Sequence, residues 1–413
     1  MRETYDVLIV GSGQAGVQAA LSLRQGGFDG TIGIIGAEEH LPYERPPLSK
    51  AFMRGEAEVD EFLFRSADYW EKAGIELVLG KVVESVEPQA HQVLIEDGHR
   101  ITYRYLVWAA GGRARTLSLP GAGLDGVFSL RTYLDAARLR DKLASSRRAV
   151  IIGGGYIGLE AAAAFATQGI DVTVIEVQER LLARVTCAEV SDFYADLHRR
   201  QGSEILLSSG VEQILGSAGR VTGVELSDGT KLDADFVIIG VGLIPNIEPL
   251  SAAGIQTTNG VDVDENCRTS APDVFAIGDC ANLQNPFAGG NRVRLESVPN
   301  AVEHGKIVAN AILSLPNSVA AAPWFWSHQF DVKLQTVGLQ GGHDETVVRG
   351  DPATGKFSVI YLRNGSVIAL DCINSVADFA QGKQLVQKGV TATRDELADL
   401  STPLKKMLDA ATV

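Results

Sequence analysis

Six glycines at matched spacing offer the first chemistry in this sequence. Residues 11–16 read GSGQAG and residues 153–158 read GGGYIG, two copies of the pattern G-x-G-x-x-G. The first glycine of each, Gly11 or Gly153, permits a tight turn. The second, Gly13 or Gly155, lets a pyrophosphate reach bare backbone. The third, Gly16 or Gly158, lets a helix pack closely on a strand. A helix that begins there turns free N–H groups and a partial positive charge toward the phosphates. An acid after the next strand accepts the adenosine ribose hydroxyls. In the second copy that acid is Glu176, whose carboxylate repels a 2′-phosphate and so favours NADH over NADPH. In the first copy it is Glu38, with Glu39 as the alternative.

These turns need particular elements around them, and both copies supply them. "YDVLIVGSGQAGVQAALSLRQGGFDGTIGIIGAEE" and "RAVIIGGGYIGLEAAAAFATQGIDVTVIEVQE" each read apolar strand, glycine turn, small-residue helix, glycine break, second apolar strand, acid. Further on, Asp97-Gly98 and Asp228-Gly229 each fall between alternating apolar residues, a hairpin signal. Both regions close on an apolar strand that runs into glycine, at 106–112 and 236–242. The expected fold is α/β, with two Rossmann-like dinucleotide-binding domains, each carrying a β-meander. A lone G-x-G-x-x-G arises by chance in a chain with 44 glycines, but two copies in full context do not. One nucleotide is expected to stay bound and the other to visit, with an electron pair passing between them. A flavin suits the resident role.

The 413 residues suffice for two to four domains, and the net charge is -14. That charge leaves no broad basic surface, so nucleic acid is not an expected partner. No stretch is long and apolar enough to span a membrane, and the polar start at 1–6 reads as no leader. The expected location is cytoplasmic. Cys187, Cys267, Cys280 and Cys372 form no C-x-x-C pair and no zinc pattern, so no metal is expected.

The motifs GSGQAG, LPYERPPLSK (41–50), GGGYIGLE (153–160), VGLIPN (241–246), VFAIGDC (274–280), ESVPNA (296–301) and APWFWS (322–327) follow in this order. Together they resemble the FAD-dependent, NADH-consuming ferredoxin reductases of bacterial oxygenase systems, which have a glutathione-reductase-like fold. The resemblance covers the whole chain. It implies an FAD-binding domain at 1–112 and 244–322, an NAD-binding domain at 113–243 and a C-terminal α+β interface domain at 323–413. It implies non-covalent FAD, with NADH as donor. Asp279 would hold the ribityl chain, and Lys50, paired with Glu160, would sit by the reactive flavin ring as the catalytic pair. Further cofactor contacts are implied for Ala15, Val83, Arg131, Val298, Tyr156, Ile157 and Gly242.

Fold relatives that reduce disulfides carry a C-x4-C pair, and thiol-dependent oxidases carry one cysteine near position 42. The stretch HLPYERPPLSKAF has neither, so electrons are expected to leave the flavin directly for an outside acceptor. The expected acceptor is a 2Fe-2S ferredoxin. Because such carriers are acidic, docking needs local positive charge. Lys306, Lys383 and Lys405 are the candidates, around Trp326. A monomer or weak dimer is expected. A rubredoxin reductase and a redox module like apoptosis-inducing factor stand as alternatives, the second disfavoured by the acidic charge.

Overall fold

The computed structural model describes residues 2–317 and 319–410. The chain forms two compact units, each gathered from three stretches. The first comprises Met1–Glu44, Val59–Arg113 and Ile244–Pro323. The second comprises Arg45–Glu58, Ala114–Leu243 and Trp324–Val413.

In the first unit the run TYDVLIV forms the strand Thr4–Val10, with residues 7–10 all buried. Burial on both faces suits a continuous apolar run in a parallel sheet. Its parallel neighbours are Ile32–Gly36 and Arg100–Trp108, with Val10 opposite both Ile35 and Trp108. Ile75–Leu79 extends the sheet on one side, and Val274–Ala276 pairs in parallel with the end of Arg100–Trp108. The start of that long strand pairs antiparallel with Gln92–Ile95 across the Asp97-Gly98 turn, and Gln92–Ile95 pairs with Val83–Glu87. One strand therefore serves both the Rossmann-like layer and the meander. Helix Gln14–Gln25 packs on helix Val298–Leu313, where a Cβ on Gly305 would lie 2.7 Å from Gln18 Cβ.

The second unit repeats this plan. Five parallel strands run in the order Glu204–Leu206, Asp171–Ile175, Arg148–Ile152, Phe236–Ile239, Val127–Phe128. Val211–Ser217, Arg220–Leu226 and Lys231–Asp233 form the meander, with Asp228-Gly229 in its second turn. Helix Tyr156–Thr167 is buried without a break over residues 158–165, five of which are glycine or alanine and allow close packing. The unit also holds a five-stranded antiparallel sheet, Trp324–Gln329, Val332–Gly338, Ser366–Ile373, Lys356–Arg363 and Glu345–Asp351, with helix Val376–Lys388 packed on it. The α/β expectation holds in both units. Among the described residues no helix is long and apolar enough to cross a membrane.

Of the three glycines in the first glycine turn, the fold needs Gly11 and Gly16 but not Gly13. A Cβ at Gly16 would lie 2.0 Å from the Gly11 carbonyl oxygen, whereas a Cβ at Gly13 meets nothing within 4 Å. Gly16→Ala is expected to destabilise the ligand-free protein by about 1–3 kcal/mol, lowering its melting midpoint by several degrees. Gly13→Ala, at φ -81°, is expected to leave that midpoint within about one degree, since alanine adopts this backbone freely. Calorimetry of the two variants checks both.

Candidate functional site

The two glycine turns superimpose in their bonding. Gly11 N–H donates to the Ile35 carbonyl at 2.7 Å, and Gly153 N–H donates to the Ile175 carbonyl at 2.8 Å. Helices Gln14–Gln25 and Tyr156–Thr167 start at Gly13 and Gly155 with no side-chain cap. No atom lies within 4 Å of where a Cβ would stand at either glycine. Orphan N–H groups at an open helix start suit a phosphate.

The acids differ between the copies. Glu176 directly follows Ile175, and its carboxylate accepts from Gly154 N–H at 2.7 Å and from Gln178 N–H at 2.9 Å. In the first copy the matching position is Gly36. A Cβ there would lie 2.5 Å from Ser12 Oγ, so no acid fits. Glu38 comes two residues later, half-buried, accepting from the Tyr43 hydroxyl at 2.5 Å. Glu39 is exposed. Lys81 N–H donates to the Gly36 carbonyl and Gly80 N–H to the Glu38 carbonyl, which brings the start of Val83–Glu87 alongside. The Val83 side chain itself is in the core, so only its backbone can serve a ligand.

Gly278, followed by Asp279, reaches the first glycine turn from much later in the chain. Gly278 has φ +73°, and a Cβ there would meet Ala15 Cβ at 2.8 Å. Its N–H donates to His304 Nδ1 at 3.1 Å. Burial pushes the His304 imidazole down to about 4, so it stays a neutral acceptor. Asp279 is half-buried, as is Val298 at the start of its helix.

In the second unit, Lys50 and Glu160 form an ion pair at 2.5 Å, with Glu160 3% exposed. The short 3-10 turn Pro46–Ser49 presents Ser49 and Lys50 together, and Ser49 Oγ donates to Glu160 Oε2 at 2.7 Å. Ser327 Oγ donates to Oε1 at 2.8 Å. Arg45 donates to the Arg131 carbonyl at 2.7 Å. Tyr156 stacks near Phe325 at 4.7 Å, Ile157 is exposed, and Gly242 has φ +106°. Arg180 is engaged with the Thr186 and Ala183 carbonyls and with Ser191 Oγ, so its guanidinium is committed within its own loop.

Trp324 and Trp326 share one face of their strand, 5.5 Å between rings, and Lys383 Nζ lies 5.4 Å over Trp324. Lys405 is exposed and its N–H donates to Gln381 Oε1. Lys306 is exposed on helix Val298–Leu313 in the first unit. All four cysteines are free and buried, and burial pushes the Cys187 thiol up to about 11 and Cys280 up to about 12. None is a thiolate at neutral pH. Sequence reasoning missed Ser49, Ser327 and His304. Their residue types carry no signal. A glutamate within an alanine-rich apolar run was the visible sign that position 160 needs partners.

The pyridine nucleotide-disulphide oxidoreductase family model matches residues 5–305, and a reductase C-terminal model matches residues 324–408. The chain belongs to this pyridine nucleotide-disulphide oxidoreductase family. It is 50% identical to the 5,5'-dehydrodivanillate O-demethylase ferredoxin reductase subunit of Sphingobium sp. (strain NBRC 103272 / SYK-6), over 98% of this chain and 99% of that one. It is 39% identical to putidaredoxin reductase of Pseudomonas putida, over 100% and 98%. Among solved structures, the covalent putidaredoxin reductase–putidaredoxin complex matches with a TM-score of 0.96 at 39% identity, over 100% of this chain and 99% of that one.

His304 gives the first cradle a pH signature. Its folded value of about 4 lies below its ordinary 6.5. As pH falls from 6.5 toward 4, the unfolded chain takes a proton that the folded chain refuses, so stability is lost, up to about 3 kcal/mol. Asp371, which burial raises to about 6, acts with the opposite sign. The effect is therefore read as a difference: His304→Gln is expected to lose less stability than the parent between pH 7 and pH 4. Denaturant melts of both proteins across that range check it.

Proposed function

We propose that this chain is an NADH:ferredoxin reductase that holds FAD and serves an oxygenase through a 2Fe-2S ferredoxin. The observation that carries this reading is a pair of uncapped glycine cradles in a chain whose four thiols are all buried. Two nucleotides are accommodated, and no cysteine is placed to relay electrons. The full-length likeness to ferredoxin reductases agrees with it.

Gly11, Gly13, Ala15, Gly16, Glu38, the Val83 backbone, Asp279 and Val298 would hold FAD, and the open space at Gly13 fits a pyrophosphate. Bound FAD supplies an acceptor that takes a hydride and releases electrons singly, which matches a two-electron donor to a one-electron carrier. Gly153, Gly155, Tyr156, Ile157, Gly158, Glu176 and Gly242 bind NADH. Glu176 takes the ribose hydroxyls and repels a 2′-phosphate, and Arg180 is tied elsewhere. Lys50, fixed by Glu160, supplies positive charge beside the reacting ring system, with Arg131 as a further flavin contact. Residues 1–112 and 244–322 would form the FAD domain, 113–243 the NAD domain and 323–413 the interface domain. Trp326, Lys383 and Lys405 receive the ferredoxin, and Lys306 is a separate candidate contact. Cytoplasm is the compartment proposed.

The direct test is anaerobic stopped flow. NADH is expected to bleach the flavin, and each NADH to reduce two ferredoxins. Rubredoxin as the faster acceptor would replace this reading. NADH is expected to be preferred over NADPH by at least about tenfold in kcat/KM, and Glu176→Ser to narrow the gap. Steady-state kinetics with both nucleotides check this. Lys383→Glu is expected to raise the half-saturating ferredoxin concentration several-fold at low salt and to leave NADH-driven flavin reduction unchanged, because docking charge acts on encounter and is screened. Titrations with ferredoxin from low to high salt decide it.

A further inference from the structure

Glu160 is the end of a longer polar chain. On strand Trp324–Gln329, spacing two places Trp324 and Trp326 on one face and Ser327 and Gln329 on the other. Ser327 and Gln329 are both 0% exposed. Gln329 Nε2 lies 3.3 Å from Ser327 Oγ, and Gln329 Oε1 lies 2.8 Å from Nε2 of His198 on helix Ala188–Arg200. His198 is also 0% exposed, and its ring packs edge-on against Phe330 at 5.1 Å.

The carboxylate fixes the direction of every bond. A carboxylate paired with lysine only accepts, so the single Ser327 hydroxyl proton goes to Glu160 Oε1. Ser327 Oγ must then accept from Gln329 Nε2. That turns Gln329 Oε1 toward His198, which must donate from Nε2. His198 Nδ1 is left bare, and it has no hydrogen-bond partner among the described residues. Burial pushes the His198 imidazole below its ordinary value, which agrees with one ring proton. Leaving a buried nitrogen unpaired costs stability, so the arrangement is not one that packing alone favours.

We propose that Ser327, Gln329 and His198 are positioning residues for hydride transfer, a one-way hydrogen-bond chain that runs from His198 to Glu160 Oε1 and so sets where Lys50 Nζ stands. The chain engages Oε1, while Ser49 and Lys50 engage Oε2. Without it the carboxylate is free to turn, and the ammonium turns with it. This rests on the role given above to Lys50 and Glu160.

Two measurements test it. The first reads the proton itself, by nitrogen NMR of the FAD-loaded protein labelled with 15N-histidine, the His198 signal being identified by its loss in His198→Asn. A single neutral ring protonated on Nε2 is expected. A proton on Nδ1 reverses the chain and overturns the proposal. The second is a double-mutant cycle on the limiting rate of NADH-driven flavin reduction. Ser327→Ala is expected to slow it roughly three- to tenfold, the worth of one hydrogen bond, and Gln329→Leu to slow it less. In a Glu160→Gln background neither is expected to slow it further. Independent, multiplying losses overturn the chain while leaving the role of Glu160 intact. A Glu160→Gln protein with an unaltered rate removes the site reading, and the chain with it.

Discussion

A phosphate-binding helix must begin bare. The N–H groups of its first turn can serve a ligand only if no side chain has already claimed them, and both Gln14–Gln25 and Tyr156–Thr167 meet that condition. The surrounding architecture follows from it. The turn before each helix closes back under the next strand, its third glycine sits against the first glycine's carbonyl, and the strand that follows delivers an acid to the rim. Some helices in the chain lack this freedom. Tyr133–Leu143 and Arg394–Ala398 are closed by capping boxes from Thr132 and Thr393.

The ion pair in the second unit is the counterpart of that constraint. A carboxylate at 3% exposure is tolerable only when its lone pairs are met. Glu160 meets them with an ammonium and two hydroxyls from two separate elements, the turn that ends in Ser49 and Lys50 and the strand that carries Ser327. The stretch Arg45–Glu58, which belongs to this unit, is fastened further by the Gln168 amide donating to the Met53 carbonyl and by the Arg140–Glu58 pair. Burial here makes direction matter, since each serine hydroxyl has a single proton to give.

Local patterns were legible in the sequence. The glycine turns, the two Asp-Gly hairpins and Glu176 each involve residues close in the chain, and a motif records such geometry. Glu38 was harder. Gly36 occupies the register position of Glu176 because Ser12 fills the space, and a side chain's bulk across the turn leaves no trace in the pattern. The Lys50–Glu160 pair became readable only through resemblance. Ser327, 167 residues from Glu160, and Gln329, 131 from His198, could not be read at all. Serine, glutamine and histidine are common, and nothing in their spacing records which long-range partner each one finds.

The interleaving of the two units carries a consequence for synthesis. The edge pairing of Arg100–Trp108 with Val274–Ala276 joins segments that leave the ribosome far apart in time, and the turn at Gly278 that completes the first cradle comes with the later one. The first unit therefore waits as an open sheet, its strand Arg100–Trp108 paired with Thr4–Val10 on one side but with the other edge of residues 106–108 bare, until the whole of Ala114–Leu243 has been made. An exposed strand edge of that kind is a site of mispairing between nascent chains.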